Sequence, residues 1–171
     1  LTLISTLRPN SLWSISWSAG YTFHPWPRYG IPTASRTLKT RIEARRNLNE
    51  LSFIRAQARF DAGFEDIVGA SSSAFVHAEL ATGPRLVFQG RIAVKAAWEG
   101  IPGEPLPTPS AGIAGYVGAK CSFLNSRLSV SARITACSTD GYSSRIYFYE
   151  NGVPQSFGIT AYWGRTLSGY L

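Results

Sequence analysis

Apolar and polar residues alternate with period two along most of this chain. In SFIRAQARF (52–60), Ser52, Ile54, Ala56, Ala58 and Phe60 fall on one parity, and Phe53, Arg55, Gln57 and Arg59 on the other. That is the pattern of a β-strand with one apolar face. RTLKTRIEAR (36–45) sets Leu38, Thr40, Ile42 and Ala44 against Lys39, Arg41, Glu43 and Arg45. RLVFQGRIAVKAAW (85–98) sets Leu86, Phe88, Ile92, Val94 and Trp98 against Gln89, Arg91, Ala93 and Lys95. RLSVSARITA (127–136) sets Leu128, Val130, Ala132, Ile134 and Ala136 against Ser129, Ser131, Arg133 and Thr135. Segments of about ten residues exceed the usual globular strand and match a tilted crossing of a hydrocarbon layer.

The connections alternate as well. Short polar turns at 8–11 (RPNS), 46–49 (RNLN), 82–84 (TGP) and 124–126 (LNS) are separated by longer connections at 20–35, 61–73 and 99–110. A meander with tight turns at one end and long loops at the other is the asymmetry of outer-membrane barrels. The apolar faces are rich in Ala, Gly, Val and Leu, with Phe60 and Trp98 toward strand ends. Lipid can fill the space that a packed core would fill with large side chains, and interfacial aromatics suit the ends. The expected fold is all-β: an antiparallel up-and-down transmembrane β-barrel, or an incomplete barrel, of about eight to ten strands. Residues 1–171 form one barrel segment, expected to be part of a longer chain because it starts at Leu1 and has no Met. The expected location is the bacterial outer membrane, with membrane lipid as partner. Two competing readings are a soluble secreted β-sandwich that binds a ligand and a barrel-embedded hydrolase.

Composition narrows this only a little. With 44% hydrophobic and 16% charged residues the chain is not of the disordered class. No run approaches the roughly 18 apolar residues of a membrane-spanning helix. The net charge of +7 is mostly arginine, the lysines being Lys39, Lys95 and Lys120. These charges are spread singly over polar strand faces, so a basic tail or helix for nucleic acid is not indicated. Two Cys and two distant His give no metal-ligand spacing, and no metal or cofactor is expected. A turn at 124–126 sets Cys121 near Ser129 and Cys137 near Ile113, on opposite parities, which predicts two free thiols.

Candidate chemistry concentrates on the polar face. Lys39, Arg41, Arg55, Arg59, His77, Glu79, Arg91, Lys95 and Arg133 are expected to form a lumen-facing network. Turns centred in their connections would pair Arg55 with Glu79, Gln57 with His77, and His77 with Gln89. Basic groups outnumber acids there, so the interior is either plugged and salt-bridged or a path for an anionic solute or nucleic acid. Catalysis would need a serine held beside His77; no catalytic residue is assigned. The aromatic connection 20–35, with Tyr21, Phe23, His24, Trp26 and Tyr29, reads as an interfacial anchor.

The C-terminal run carries a resemblance. Thr139, Asp140, Tyr142, Ser144, Arg145, Ile146, Tyr147, Tyr149, Glu150 and Asn151 form a T-D-x-Y-x-S-R-I-Y-x-Y-E-N core, followed by Phe157, Ile159, Ala161, Tyr162 and Gly164. This resembles the barrel of Gram-negative outer-membrane proteins described as helix-hairpin-helix domain-containing. The resemblance implies an outer-membrane pore or scaffold, associated with DNA uptake or binding through an upstream domain. It also implies a structural role for the motif. The family's DNA-binding repeats are not found in this sequence: GIPGEPLP (100–107) has hairpin-like glycines, but Pro105 and Pro107 forbid a second helix. Within the motif, Asp140, Arg145 and Glu150 are expected to form a charged network. Cargo and oligomeric state are not specified by the sequence.

Overall fold

The computed structural model describes residues 1–25, 34–64, 68–83, 85–100, 108–123, 128–151 and 157–171. The strands are β1 (Thr2–Asn10), β2 (Trp13–His24), β3 (Ser35–Asn47), β4 (Phe53–Phe64), β5 (Val68–Ala81), β6 (Leu86–Gly100), β7 (Ser110–Phe123), β8 (Leu128–Thr139), β9 (Ile146–Asn151), β10 (Phe157–Tyr162) and β11 (Arg165–Tyr170). Nine of them form one antiparallel sheet in the order β1-β2-β3-β4-β5-β6-β7-β8-β11, while β9 and β10 pair only with each other. The all-β meander is therefore as expected, but the sheet is open, with β1 and β11 as its edges. Of the two forms expected, a barrel or an incomplete barrel, the described sheet is not closed.

Local chemistry sets the tight turns. The Asn10 side chain accepts hydrogen bonds from the Leu12 and Trp13 amides, both at 3.0 Å, and Asn49 accepts one from Leu51 at 3.0 Å. Each side chain thus mimics a turn of backbone. Gly83, at φ 83°, takes the left-handed conformation that the β5–β6 turn requires. The connection calls at Trp26, Tyr29, 100–107 and 124–126 fall on or partly on positions outside the described residues.

Register places every strand's apolar parity on the same side. One row of direct cross-strand partners runs Leu7, Ile15, Ala44, Ala56, Val76, Ile92, Gly115, Ala136, Leu167, crossing all nine strands without a polar side chain. Much of it is exposed: Ile92 by 61% and Leu167 by 77%. From β2 to β8 this apolar face carries charge only at Arg36 and Arg46, near the two ends of β3. Those guanidinium groups lie over Phe23 and Trp13, at 5.4 and 5.5 Å from the ring centres.

The core lies on the other, polar side. The β9–β10 hairpin turns Ile146, Phe148 and Tyr162 onto Ala93, Ala114 and Cys137 of β6, β7 and β8, with Phe75 and Tyr116 packed alongside. The sheet makes room by being small there. A Cβ on Gly112 would meet the Ser144 carbonyl oxygen and Thr139 Cγ2, each at 2.7 Å. Beyond β10 the chain returns to the sheet through Gly164, at φ 70°, whose amide donates to Thr139 Oγ1 at 2.8 Å. Then β11 pairs along β8, Leu167 opposite Ala136.

Candidate functional site on the basic face

Strand pairing brings the expected polar network onto one face. Lys39, Arg41, Arg55, Arg59, His77, Glu79, Arg91, Lys95 and Arg133 all lie on the hairpin side of the sheet. Arg45, Lys120, Glu43, Asp61 and Glu99 join them, so bases outnumber acids. The expected pairings are two residues out, and this correction changes the electrostatics. Arg55 faces His77 and not Glu79; Glu79 faces Phe53; His77 faces Arg91 and not Gln89; Gln57 faces Phe75. The turns are not centred in their connections, and a slip of two residues keeps every side chain on its face while exchanging its partner. In β7–β8 the expected register is one residue out: Cys121 sits opposite Val130 and Cys137 opposite Ala114, and both thiols are free.

The result is a row of basic side chains, Arg45, Arg55, His77 and Arg91, on four successive strands. Like charges directly across strands repel. The acids are engaged elsewhere: Glu43 pairs with Arg41, Asp61 with Arg59 at 2.6 Å, and Glu79 accepts a hydrogen bond from Gln89 at 3.3 Å. What lies between the guanidinium groups is aromatic. Arg45 lies over Phe53 at 4.2 Å, Arg55 and Arg91 over Phe75 at 5.3 and 3.8 Å, and Arg133 over Tyr116 at 4.1 Å. These cation–π contacts are attractive and strengthen with desolvation. His77 packs on Phe53 and has its Nδ1 3.5 Å from the Tyr116 hydroxyl. Among the described residues no hydrogen bond joins a serine to His77, whose side-chain partner is Tyr116.

The motif at 139–151 builds the hairpin's entry. Asp140 and Ala111 exchange two hydrogen bonds, the Asp140 amide to the Ala111 carbonyl at 2.9 Å and the Ala111 amide to Asp140 Oδ2 at 3.1 Å. The fully buried Ser144 accepts from Ser110 at 2.8 Å and donates to the Gly141 carbonyl at 3.0 Å. Arg145 donates to the Tyr142 carbonyl at 3.0 Å and to the Tyr147 hydroxyl, and it stacks on Tyr142. Lys95 reaches the Arg145 carbonyl at 3.4 Å from the sheet. The expected Asp140–Arg145–Glu150 network is thus replaced, for its described members, by contacts to backbone and phenol. Among the described residues no ion pair joins Asp140 to Arg145. The side chains of Glu150 and Asn151 lie outside the described residues.

A polar cleft of about 300 Å³ opens beside this entry, lined by Lys39, Asp61, Lys95, Glu99 and Arg145 among others. Among the described residues no cluster of His, Cys, Asp and Glu could hold a metal ion. Sequence reasoning missed the hairpin seat. Its signal was the run of small inward positions at Ala93, Ala97, Gly112 and Ala114, three of which are buried. No protein-family model, curated protein or solved structure matches this chain.

Proposed function

We propose that this chain forms the wall of an outer-membrane β-barrel whose basic interior is occupied by its own hairpin, so that it acts as a scaffold or closed pore. The observation that carries this reading is the apolar row from Leu7 to Leu167. Along this row all nine strands of the sheet present uncharged residues, and no described residue covers them. A soluble sheet would need a second layer on that face. Monomeric soluble proteins rarely expose apolar patches beyond a few hundred Å².

Two further features support lipid as the cover. Grooves run between the large and small residues of the apolar face, one of about 490 Å³ along Ile42, Ala44, Ala56, Ala58, Val76 and Ile92, which acyl chains can fill. Aromatic residues gather near strand ends, with Trp13, Phe88 and Phe123 toward the tight turns and Tyr21, Phe23, Phe60 and Trp98 toward the long connections. On this reading the basic face is the lumen. The hairpin, seated through Phe148, favours a filled interior over an open aqueous path. The run that resembles the helix-hairpin-helix outer-membrane family is the one that folds as this hairpin and its entry, and membership of that family is part of the proposal. Membrane fractionation tests it: the chain should leave membranes only with detergent. A chain that stays folded and monomeric in plain buffer contradicts it.

A further inference from the structure

We propose that Arg55 and Arg91, flanking His77 on the basic face, form a binding site for an oxyanion, the phosphate or carboxylate group of a ligand. The inference deepens the interior reading above by naming what the basic face would hold. The site itself needs only the strand register, which stands whether or not the opposite face meets lipid.

The Nε atoms of Arg55 and Arg91 are buried, and neither finds an acceptor among the described residues. A buried donor left unpaired is destabilising, and more so when it is charged. The two residues face His77 from either side, Arg55 on β4 and Arg91 on β6. Both guanidinium groups lie over the single ring of Phe75, one residue row away. The nearest acid by register, Glu79, is two residues along the strand from His77 and bonded to Gln89. An acceptor of opposite charge is therefore what the constellation lacks. Guanidinium forks match the paired oxygens of phosphate and carboxylate, which makes an oxyanion the fitting chemistry, ahead of a halide or a neutral acceptor. Phe75 lies against both guanidinium groups, closest to Arg91 at 3.8 Å, and draws them towards one ring.

The test uses the whole chain in a neutral maltoside detergent at constant ionic strength. Phenylglyoxal modification of arginines is mapped by mass spectrometry, with inorganic phosphate as the probe and chloride as the reference. Phosphate should slow modification of Arg55 and Arg91 at least fivefold, saturably, while the exposed Arg8 and Arg85 react as before. Parallel mixed micelles containing phosphatidylglycerol distinguish the source: protection there alone assigns the oxyanion to a lipid headgroup, and protection by inorganic phosphate assigns it to a soluble ligand. Arg91→Gln should abolish protection at Arg55, whereas Lys120→Gln, on the same face near the tight turns, should leave it intact. Absence of protection by either probe, or equal protection at Arg8 and Arg85, overturns the site. A chain that needs no detergent yet shows the protection would overturn the membrane reading and leave the oxyanion site standing.

Discussion

Phe148 meets Tyr116 edge to face, with ring centroids 5.2 Å apart and planes at 84°. That contact joins the hairpin to the basic face, because Phe148 is 1% exposed and Tyr116 lies directly across from Arg91. The Arg91 guanidinium is 5.5 Å from the Phe148 ring centre as well. Hairpin seating and the arrangement of the arginines are therefore coupled through shared rings.

Removing the anchor should release the hairpin. Phe148→Ala deletes the most deeply buried side chain of the cluster and should cost about 3–5 kcal/mol of its docking. Hydrogen exchange of the β9 and β10 amides should quicken, while the β4 and β5 amides, joined by twelve residue pairs, stay protected. Uniform acceleration across the sheet would mean that the hairpin is not a separate unit.

The seat can be blocked from the other side. Gly112→Val places carbon where Ser144 and Thr139 already stand, and overpacking of this kind costs about 1–3 kcal/mol. Gly69→Ala, with nothing within 4 Å of its added Cβ, should change stability far less. Urea titration of the two variants compares them; equal midpoints would show that the hairpin entry at Ser144 does not press on β7.

Much of this was legible in the sequence, and the limits were physical. Period two places Ile92 and Arg91 on opposite faces without ambiguity, because a strand has only two faces. Pairing is a longer-range matter: Arg55 with Glu79 and Arg55 with His77 obey the same parity, and only the turn chooses between them. The hairpin was hidden for a third reason. Ile146, Phe148 and Tyr162 face the sheet, but Tyr147 and Ile159 on the opposite side are aromatic or aliphatic too. Alternation could not say which side was covered. Ala93 shows the consequence. Its parity predicts a tolerant polar lumen, yet it is 6% exposed beneath the hairpin.

Arginine scanning should reveal both covers at once. Ile92→Arg, near the middle of the apolar row, should cost about 2–4 kcal/mol in a bilayer refolding assay. Ala93→Arg should also be costly, through lost packing, whereas Ser73→Arg, inward on β5 and outside the core cluster, should cost less than either. If Ala93→Arg is as mild as Ser73→Arg, the hairpin does not cover β6.

The two thiols report on opposite faces. Cys137 lies in the core cluster under the hairpin, and Cys121 is half-exposed on the apolar face. In detergent a water-soluble maleimide should label Cys137 slowly, and Phe148→Ala should raise that rate at least tenfold without changing the rate at Cys121. Parallel changes at both thiols would indicate general loosening.

The central claim is that the row from Leu7 to Leu167 faces lipid, and spin-label accessibility tests it most directly. With Cys121 and Cys137 replaced by Ala, single labels would be placed at Val76→Cys and Ile92→Cys on the apolar face, and at Gln57→Cys and Ser73→Cys on the basic face, in the bilayer-reconstituted chain. The account predicts that dissolved oxygen relaxes the first pair strongly and that an aqueous nickel chelate scarcely reaches them, with the chelate favoured at the second pair. Strong relaxation by the chelate at Val76→Cys and Ile92→Cys would contradict it.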